Sequence, residues 1–364
     1  MNNNFGIIEL YCGASGKIGF YNNQELGICK AMSKLGYKCF VFYPDIENKT
    51  ISEEEYGETI VVRCPAIHIG VHSFYDWNIL KKYDIAYAQI DSDNQFFASS
   101  VIKHCVDSNI NYYNYIGTIK SDSDSPIKRL ISSIILKRNL KFYKESKCFA
   151  KTKQVRSELT NKGIKDAEIV HVGLDLSLIP EIHKDKNKLK KELNITADKK
   201  VLLFVGRMEN YKRPFDIFNV FRKLDNNYYG IMIGTGSLSE EIDGVINNEF
   251  NRRIIRIDRI ENKKIHQYYK VSDFFLNFNE KEIFGMSMLE AMNQGCNVIA
   301  VRSPGAEEII NDKKTGFLVS NVNEMIDIIN NGARLDEKTM KQSIIDDFSW
   351  DSSVKHFDDY LKAQ

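Results

Sequence analysis

The chain has no long apolar segment and no excess of charge of either sign. No stretch approaches the roughly eighteen consecutive apolar residues that a membrane-spanning helix needs, and the N-terminus lacks a charged start followed by an apolar run. We therefore expect neither a membrane span nor export. Because 50 Lys and Arg balance 49 Asp and Glu, no overall field attracts nucleic acid, and we expect no nucleic-acid partner.

Cysteine pairs and clusters of metal-binding residues are also missing. The seven cysteines are odd in number and form no Cys-x-x-Cys pair, which fits neither a disulfide framework nor a zinc site. They are typical of reduced thiols in a cytoplasmic protein. Among the seven histidines, His68 and His72 could bind a metal only if a third ligand converged on them. The sequence therefore predicts no metal and no cofactor.

Short apolar runs alternate with amphipathic stretches through most of the 364 residues, a length that suggests two domains. Strands that alternate with helices predict parallel sheets, so we expect an α/β fold of two tandem Rossmann-like, doubly wound domains facing a cleft. We place these domains at 1–178 and 179–345, with a helix in 346–364 returning to the first. The polar, lysine-rich segment Lys184–Lys200 is expected to lie near the connection.

The most informative segment begins at Glu282 and ends at Gly295. It predicts a loop and then a helix from about Met286, which Gly295 ends. Gly285 would let the backbone approach a ligand, and the helix N-terminus would direct amides and partial positive charge at an anion. Glu290 is placed to accept hydrogen bonds from a vicinal diol, and Glu282 from further hydroxyls. The alternative is that both glutamates are solvated surface charges.

A second segment, Gly206 to Pro214, follows the apolar strand Val201–Val205. It places Arg207 and Lys212 near the carboxyl end of that strand, where parallel sheets bind ligands. Two cations there can hold a diphosphate and stabilise the charge that develops on it as a glycosidic bond breaks.

These segments resemble the large family of group-1 retaining glycosyltransferases with the two-domain GT-B fold, which includes sucrose synthase-like and bacterial polysaccharide and lipid glycosyltransferases. The family's E-x7-E motif is met by Glu282 and Glu290, with Phe284-Gly285 and Glu290-Ala291-Met292 in their usual places. The resemblance covers nearly the whole second half through these further segments: Gly206-Arg207 to Lys212, Gly234-Thr235-Gly236, Tyr268–Asn277, Gly305 to Glu308, and Gly316 to Val319.

The resemblance implies retaining, metal-independent transfer of a sugar from a nucleoside diphosphate, expected to be UDP, to an acceptor hydroxyl. The sugar would be a hexose or N-acetylhexosamine, used in cell-surface glycan or glycolipid synthesis. The implied catalytic residues are Arg207 and Lys212 on the diphosphate and Glu282 on the donor sugar. The implied donor-binding residues are Gly16, Gly19, Gly206, Ile260, Phe284, Gly285, Met286 and Glu290, of which Glu290 would bind the ribose. Phe204, Leu289 and Met292 are expected to be core residues.

The first half departs from the family, since the histidine that many relatives carry after the fourth or fifth strand is absent. Asp91, Asp93 or Lys120 are the candidates on the acceptor side, although locally satisfied loop residues are the alternative. Two rival functions remain open. The same fold hosts nucleotide-sugar epimerases and hydrolases, and the missing histidine would also suit a non-catalytic nucleotide-sugar-binding protein.

Residues 126–165 form a basic segment with twelve Lys and Arg against two Glu, a net charge of +10 in an otherwise acidic chain. Isoleucines and leucines between Ile127 and Leu140 interleave with the first of these cations, as in an interfacial helix. One interpretation is peripheral contact with an anionic membrane, at its inner, cytoplasmic face. The other is a solvated basic surface that covers its own domain core.

Overall fold

A computed structural model describes residues 2–13, 23–120 and 125–363 and divides the chain into two compact units. The first contains residues 1–173 and 349–364, and the second is Leu174–Phe348. The expected connection near Lys184–Lys200 was wrong, because this segment lies inside the second unit. Its helix buries Leu189, and the ammonium of Lys190 donates to two backbone carbonyls, so the segment packs instead of linking.

The first unit is built on a mostly parallel sheet. Its strands are β1 (Asn4–Glu9), β2 (Lys38–Asp45), β3 (Ser52–Tyr56), β4 (Thr59–Pro65), β5 (Ile67–Ile69), β6 (His72–Phe74), β7 (Tyr87–Asp91), β8 (Asn111–Ile116), β9 (Cys148–Ala150) and β10 (Glu168–Ile169). Eight of the described strands form one sheet in the order β10-β9-β8-β7-β1-β2-β4-β3, in which only β3 runs antiparallel to its neighbour. β5 and β6 form a separate antiparallel hairpin.

Helices cover this sheet on both sides of the central strands. They are α1 (Gln24–Lys34), α2 (Ile79–Lys82), α3 (Ala98–Asp107), α4 (Pro126–Tyr143) and α5 (Lys153–Asn161). Because central parallel strands are covered on both faces, β1 and β2 carry long apolar runs. In β1 the buried run extends through Glu9, which lies in register with Asp91 of the adjacent β7. Two carboxylates therefore lie side by side at the end of the sheet.

The second unit has a parallel six-stranded sheet among its described residues. Its strands are β11 (Lys200–Val205), β12 (Tyr228–Ile233), β13 (Ile254–Ile257), β14 (Phe274–Asn277), β15 (Asn297–Val301) and β16 (Phe317–Val319), in the order β13-β12-β11-β14-β15-β16. Its helices are α6 (Lys186–Glu192), α7 (Asp216–Lys223), α8 (Ser239–Val245), α9 (Asn262–Val271), α10 (Met286–Asn293), α11 (Pro304–Ile309), α12 (Val322–Asn330) and α13 (Glu337–Asp347).

Alternate residues of these strands enter two apolar clusters. In β11, Leu203 packs in one cluster, whereas Leu202 and Phe204 pack in the other. Successive side chains of a strand point to opposite faces, so both faces of the sheet are buried and the unit is doubly wound. The expected core residues Leu289 and Met292 are buried, as is Phe204.

Both sheets reverse their strand order at one point. In the second unit the chain moves outward from β11 through β12 to β13, then returns to β14 on the other side of β11. In the first unit the reversal falls between β1 and β7. Such a reversal leaves a crevice at the carboxyl ends of the two strands, which is where open parallel sheets bind ligands.

The last helix, α14 (Trp350–Lys362), belongs to the first unit. Its Phe357 ring stacks on Tyr113 with 4.7 Å between centroids, and Ser353 Oγ donates to the carbonyl of His171 at 2.8 Å. A Cβ on Gly27 of α1 would lie 2.3 Å from the Trp350 ring nitrogen, so only glycine allows this packing. The C-terminal helix is therefore an integral part of the first core.

Candidate active site

Two loops meet at the strand reversal of the second unit. One follows β11 and ends in a short 3-10 turn, Asn210–Lys212, and the other follows β14. Lys212 Nζ lies 2.5 Å from Glu282 Oε2, and the two side chains are 22% and 14% exposed. The structure thus brings together two of the predicted catalytic residues in a half-buried ion pair.

Glu282 is held from three directions. Besides Lys212, the side-chain amide of Asn279 donates to Glu282 Oε2 at 3.1 Å. The backbone carbonyl of Glu282 accepts from the amide of Gly305 at 2.7 Å. A Cβ on Gly305 would lie 2.6 Å from the amide nitrogen of Phe284, so the start of α11 can approach this loop only with glycine there. The carboxylate therefore has a fixed orientation.

A further ion pair ties the same two loops together. Arg213, in left-handed conformation with φ 52°, donates to Asp216 at 2.8 Å and also pairs with Glu280. The predictions did not include Arg213, although its position beside Lys212 in a cationic pair is a signal that could have suggested it. The pairing with Glu280 is a contact across the strand reversal that no local pattern reveals.

Arg207 has a fixed backbone and an exposed side chain. The amide of Gly206 donates to Ile233 and that of Met208 to Thr235, both at 3.0 Å. A Cβ on Gly234 would lie 2.0 Å from the carbonyl oxygen of Gly206, so the loops after β11 and β12 pack backbone against backbone. Within the described residues the Arg207 guanidinium donates no hydrogen bond, and it is not joined to the Lys212–Glu282 pair.

The N-terminus of α10 lies directly after Glu282. Gly285 is its N-cap with φ +89°, and no side chain caps the helix. The first amides of a helix have no intrahelical acceptor and carry partial positive charge. Gly285 and Met286 are half-buried, and a Cβ on Gly285 would lie 3.2 Å from Cγ of Glu282, the partner of Lys212. The start of the helix can therefore accept an anion near this ion pair.

Glu290 lies further along α10 and is held by α9. Tyr269 Oη donates to its Oε2 at 2.8 Å, and the side-chain amide of Asn262 donates to its Oε1 at 3.5 Å. Burial raises the pKa of Glu290 above its ordinary value, and these two hydrogen bonds oppose the rise. The positioning role of Tyr269 and Asn262 was not predicted, because nothing in the sequence shows that α9 packs beside α10.

The other residues predicted to bind the donor belong to two groups. Ile260, Phe284 and Met286 are partly buried against the same apolar cluster of the second unit. Gly16 and Gly19 lie outside the described residues.

The acceptor-side candidates lie at the strand reversal of the first unit, but not all of them are brought together. Asp91 is buried at the end of β7, with Lys151 Nζ 3.0 Å from its Oδ2. Asp93 accepts hydrogen bonds from the amides of Gly117 and Thr118, so it joins two loops. Lys120 is exposed and instead pairs with a glutamate of α5 at 2.6 Å.

An acidic cluster surrounds Asp91 that sequence reasoning missed. The carboxylates of Glu9, Glu25 and Asp91 are buried, with oxygens within 4.8 Å of one another. Burial raises the pKa of Asp91 to about 7 against the opposing effect of Lys151, and burial together with Asp91 raises that of Glu9. Such a group could hold a cation or share protons. That β1 and β7 both end in an acid was the available signal.

The basic segment is α4 together with the strand and helix that follow it. Four of its apolar side chains, all in α4, are more than half exposed. Across the described parts of the chain, no helix combines the length and apolar character needed to cross a bilayer.

The chain is similar to known proteins in the region that contains these loops. The family described as glycosyl transferases group 1 matches residues 185–342, which lie within the second unit and include both loops of the site. An uncharacterized glycosyltransferase of Methanocaldococcus jannaschii is 22% identical over 88% of each chain. N-acetyl-alpha-D-glucosaminyl L-malate synthase of Bacillus anthracis is 28% identical, but over only 42% of this chain and 40% of its own.

Among solved structures, Anabaena HepE in complex with UDP-glucose aligns with a TM-score of 0.70 over 99% of this chain and 100% of its own, at 14% identity. At that identity the likeness concerns the fold, which is α/β with two Rossmann-like units of the GT-B type. The predicted fold class is thereby confirmed.

Proposed function

We propose that this chain, whose matches support a group-1 glycosyltransferase of the GT-B fold, transfers a hexose or N-acetylhexosamine from UDP to an acceptor hydroxyl with retention. The family match and the fold support glycosyltransferase activity with a nucleotide sugar. The observation that carries the finer proposal is the Lys212–Glu282 pair beside the uncapped start of α10. A cation, free amides and an oriented carboxylate suit the diphosphate and sugar parts of one ligand.

In the proposed reaction, Lys212 and Arg207 bind the diphosphate and stabilise the negative charge that grows on it as the sugar leaves. The bond between the anomeric carbon and the diphosphate oxygen breaks, and the acceptor oxygen bonds to that carbon from the same face. The acceptor proton passes to the departing diphosphate. Glu282 is already engaged by Lys212 and Asn279, which suits hydroxyl binding better than attack on carbon.

The other donor contacts follow from position. Glu290, fixed by Tyr269, would accept from the ribose hydroxyls. The backbone near Ile260 would meet the base, and the amides of Phe284 and Gly285 the sugar. The choice of UDP is supported by HepE, a protein of the same fold that was solved with UDP-glucose.

We also propose that transfer needs no metal, because Lys212 and Arg207 can take the role of a divalent ion on the diphosphate. Turnover should persist in excess EDTA. Loss of turnover that magnesium or manganese restores would refute this, and a change confined to thermal stability would implicate the acidic cluster around Asp91 instead.

For the acceptor, we propose a glycan or glycolipid of the cell surface that the enzyme meets at the inner face of the membrane. Residues 126–165, with their net charge of +10, would provide the peripheral contact.

Product analysis tests the proposal against its rivals. The protein is incubated with a panel of nucleotide sugars, with and without a mixture of sugar and lipid acceptors, and the nucleotides are separated. A transferase releases nucleoside diphosphate mainly when acceptor is present, and a hydrolase releases it without acceptor. An epimerase changes the sugar and releases no diphosphate, and a binding protein only retains the ligand. Release independent of acceptor, or none with any donor, would overturn the proposal.

A further inference from the structure

Helix α4 presents apolar side chains to the outside as well as to its own core. Ile127, Leu130, Ile131 and Ile134 are 71%, 63%, 51% and 63% exposed. Their spacing of three and four residues aligns them on one face of the helix. A stripe of four large apolar side chains on an outward face is unusual for a surface that meets only water.

A different face attaches α4 to its unit. Its buried residues are Ile135, Asn139 and Tyr143. The side-chain amide of Asn139 donates to the backbone carbonyl of Gln95 at 2.9 Å, and the side-chain amide of Asn94 donates to the backbone carbonyl of Ser132 at 3.1 Å. The exposed stripe is therefore not needed to hold the helix in place.

The sequence of α4 adds positive charge and no negative charge. It contains five cations, Lys128, Arg129, Lys137, Arg138 and Lys141, and no acidic residue. The Arg138 guanidinium lies 5.3 Å from the centre of the Phe96 ring. Cations near an apolar stripe are the pattern of a helix that lies at the surface of an anionic bilayer.

The β5–β6 hairpin is a second exposed apolar element of this unit. Ile67 and Ile69 are 69% and 59% exposed, and Val71 at the turn is 40% exposed. Strand β6 of the hairpin is held to the unit, because Ser73 donates to the backbone carbonyl of Leu10 through both its backbone amide and its hydroxyl. The amide of Cys12 donates to the carbonyl of Val71 at 2.9 Å, so the turn is fixed as well, and the hairpin exposes apolar side chains from a fixed backbone.

One short loop holds both elements. The ring Nδ1 of His72 lies 2.5 Å from the side-chain oxygen of Gln95, while the backbone carbonyl of Gln95 accepts from Asn139. The hairpin therefore contacts the side chain of Gln95, and α4 contacts its backbone.

We propose that α4 and the β5–β6 hairpin together form a docking surface for an anionic lipid bilayer. The isoleucines and Leu130 enter the headgroup and acyl boundary, and the lysines and arginines contact lipid phosphates. A second copy of the chain is the less favourable occupant, because it would bring another helix with five cations against the first. The inference rests on the proposed function for the peripheral membrane contact of residues 126–165 and for its purpose, which is to reach a membrane-held acceptor. It adds the side chains that make the contact and the second element that takes part.

Vesicle flotation tests the surface on the full chain, with phosphatidylglycerol–phosphatidylcholine vesicles compared with phosphatidylcholine alone. Three variants are made: Ile127→Ser/Leu130→Ser/Ile134→Ser, Ile67→Ser/Ile69→Ser, and a control, Ile51→Ser/Val106→Ser. The control residues are 42% and 58% exposed elsewhere in the same unit. We expect each of the first two variants to lower the bound fraction at least about tenfold and the control to match wild type. Salt should weaken binding by screening the cations.

Three results would overturn the inference: no binding of wild type to anionic vesicles, equal binding to neutral ones, or full binding by the first two variants. If those two variants also turn a dimer into a monomer in sedimentation, the surface joins two copies. UDP binding, followed by thermal shift in the absence of lipid, should be equal in all variants. Vesicle binding without sugar transfer would leave the docking surface intact and refute the proposed function.

Discussion

The Lys212–Glu282 ion pair gives the sharpest test of the site. Lys212→Met and Glu282→Gln each remove one charge at nearly constant volume, and the double variant completes a thermodynamic cycle. At 2.5 Å the Coulomb energy is about 2 to 7 kcal/mol for effective dielectric constants of about 80 to 20. Desolvation offsets part of this, so we expect a measured coupling of about 1 to 3 kcal/mol in the free energy of unfolding.

The same cycle is then measured on turnover. Lys212→Met should lower kcat/KM at least about tenfold, which corresponds to about 1.4 kcal/mol of lost transition-state stabilisation. Because Lys212 also orients Glu282, the second substitution should cost less in the Lys212→Met background than in wild type. Urea unfolding and initial rates with UDP-sugar provide the two data sets.

A matched control is available on the surface of the same unit. Arg222 and Glu249 form a bidentate ion pair, in which Nε and Nη2 of Arg222 donate to the carboxylate of Glu249. Their side chains are 48% and 46% exposed. Its cycle, Arg222→Met with Glu249→Gln, should give a coupling of no more than about 1 kcal/mol and unchanged turnover. Additive effects of Lys212→Met and Glu282→Gln on both stability and turnover would refute the idea that the pair acts as a unit.

Three further outcomes are expected. Arg207→Ala should lower turnover at least about tenfold with an unchanged circular dichroism spectrum, since its side chain is exposed, and a wild-type rate would remove it from the site. Glu290→Ala should weaken binding of UDP itself, whereas Glu282→Ala should weaken only the sugar-bearing donor; calorimetry with both ligands compares them, and equal losses would show that the roles are divided wrongly. Burial lowers the pKa of His266 from 6.5 to about 4, so between these pH values the unfolded state binds a proton that the folded state does not. The urea concentration at the unfolding midpoint should therefore decrease as the pH is lowered from 6.5 to 4, and it should decrease less in His266→Gln.

Much of the second unit could be predicted because its signals are local. The apolar run of β11, the glycine that ends α10 and the spacing of Glu282 and Glu290 all follow from neighbouring residues. The pairing of Lys212 with Glu282 is different, since β12 and β13 intervene in the chain and only the strand order makes their loops adjacent. Sequence placed both residues at strand ends, and topology brought them into contact.

In the first unit, three features could not be predicted from the sequence, because each depends on which elements lie next to one another. β3 consists of exposed residues at the edge of its sheet, so it carries no apolar alternation to find. The composition of α4 suggested an interfacial helix, but which face is buried depends on Asn139 and its partner Gln95. The acidic cluster around Asp91 likewise depends on β1 and β7 being neighbours in the sheet.

The position of α14 has a consequence for the order in which the protein is made. The second unit lies between two parts of the first, so a ribosome completes all of Leu174–Phe348 before it makes the helix that packs on Tyr113. The second unit can reach its final structure during synthesis, whereas the first has an incomplete core until α14 has been made. Deletion of α14 should therefore reduce the yield of folded protein, although it removes no residue of the candidate site. For the same reason residues 174–348 are the natural fragment to express alone, and no continuous fragment reproduces the first unit.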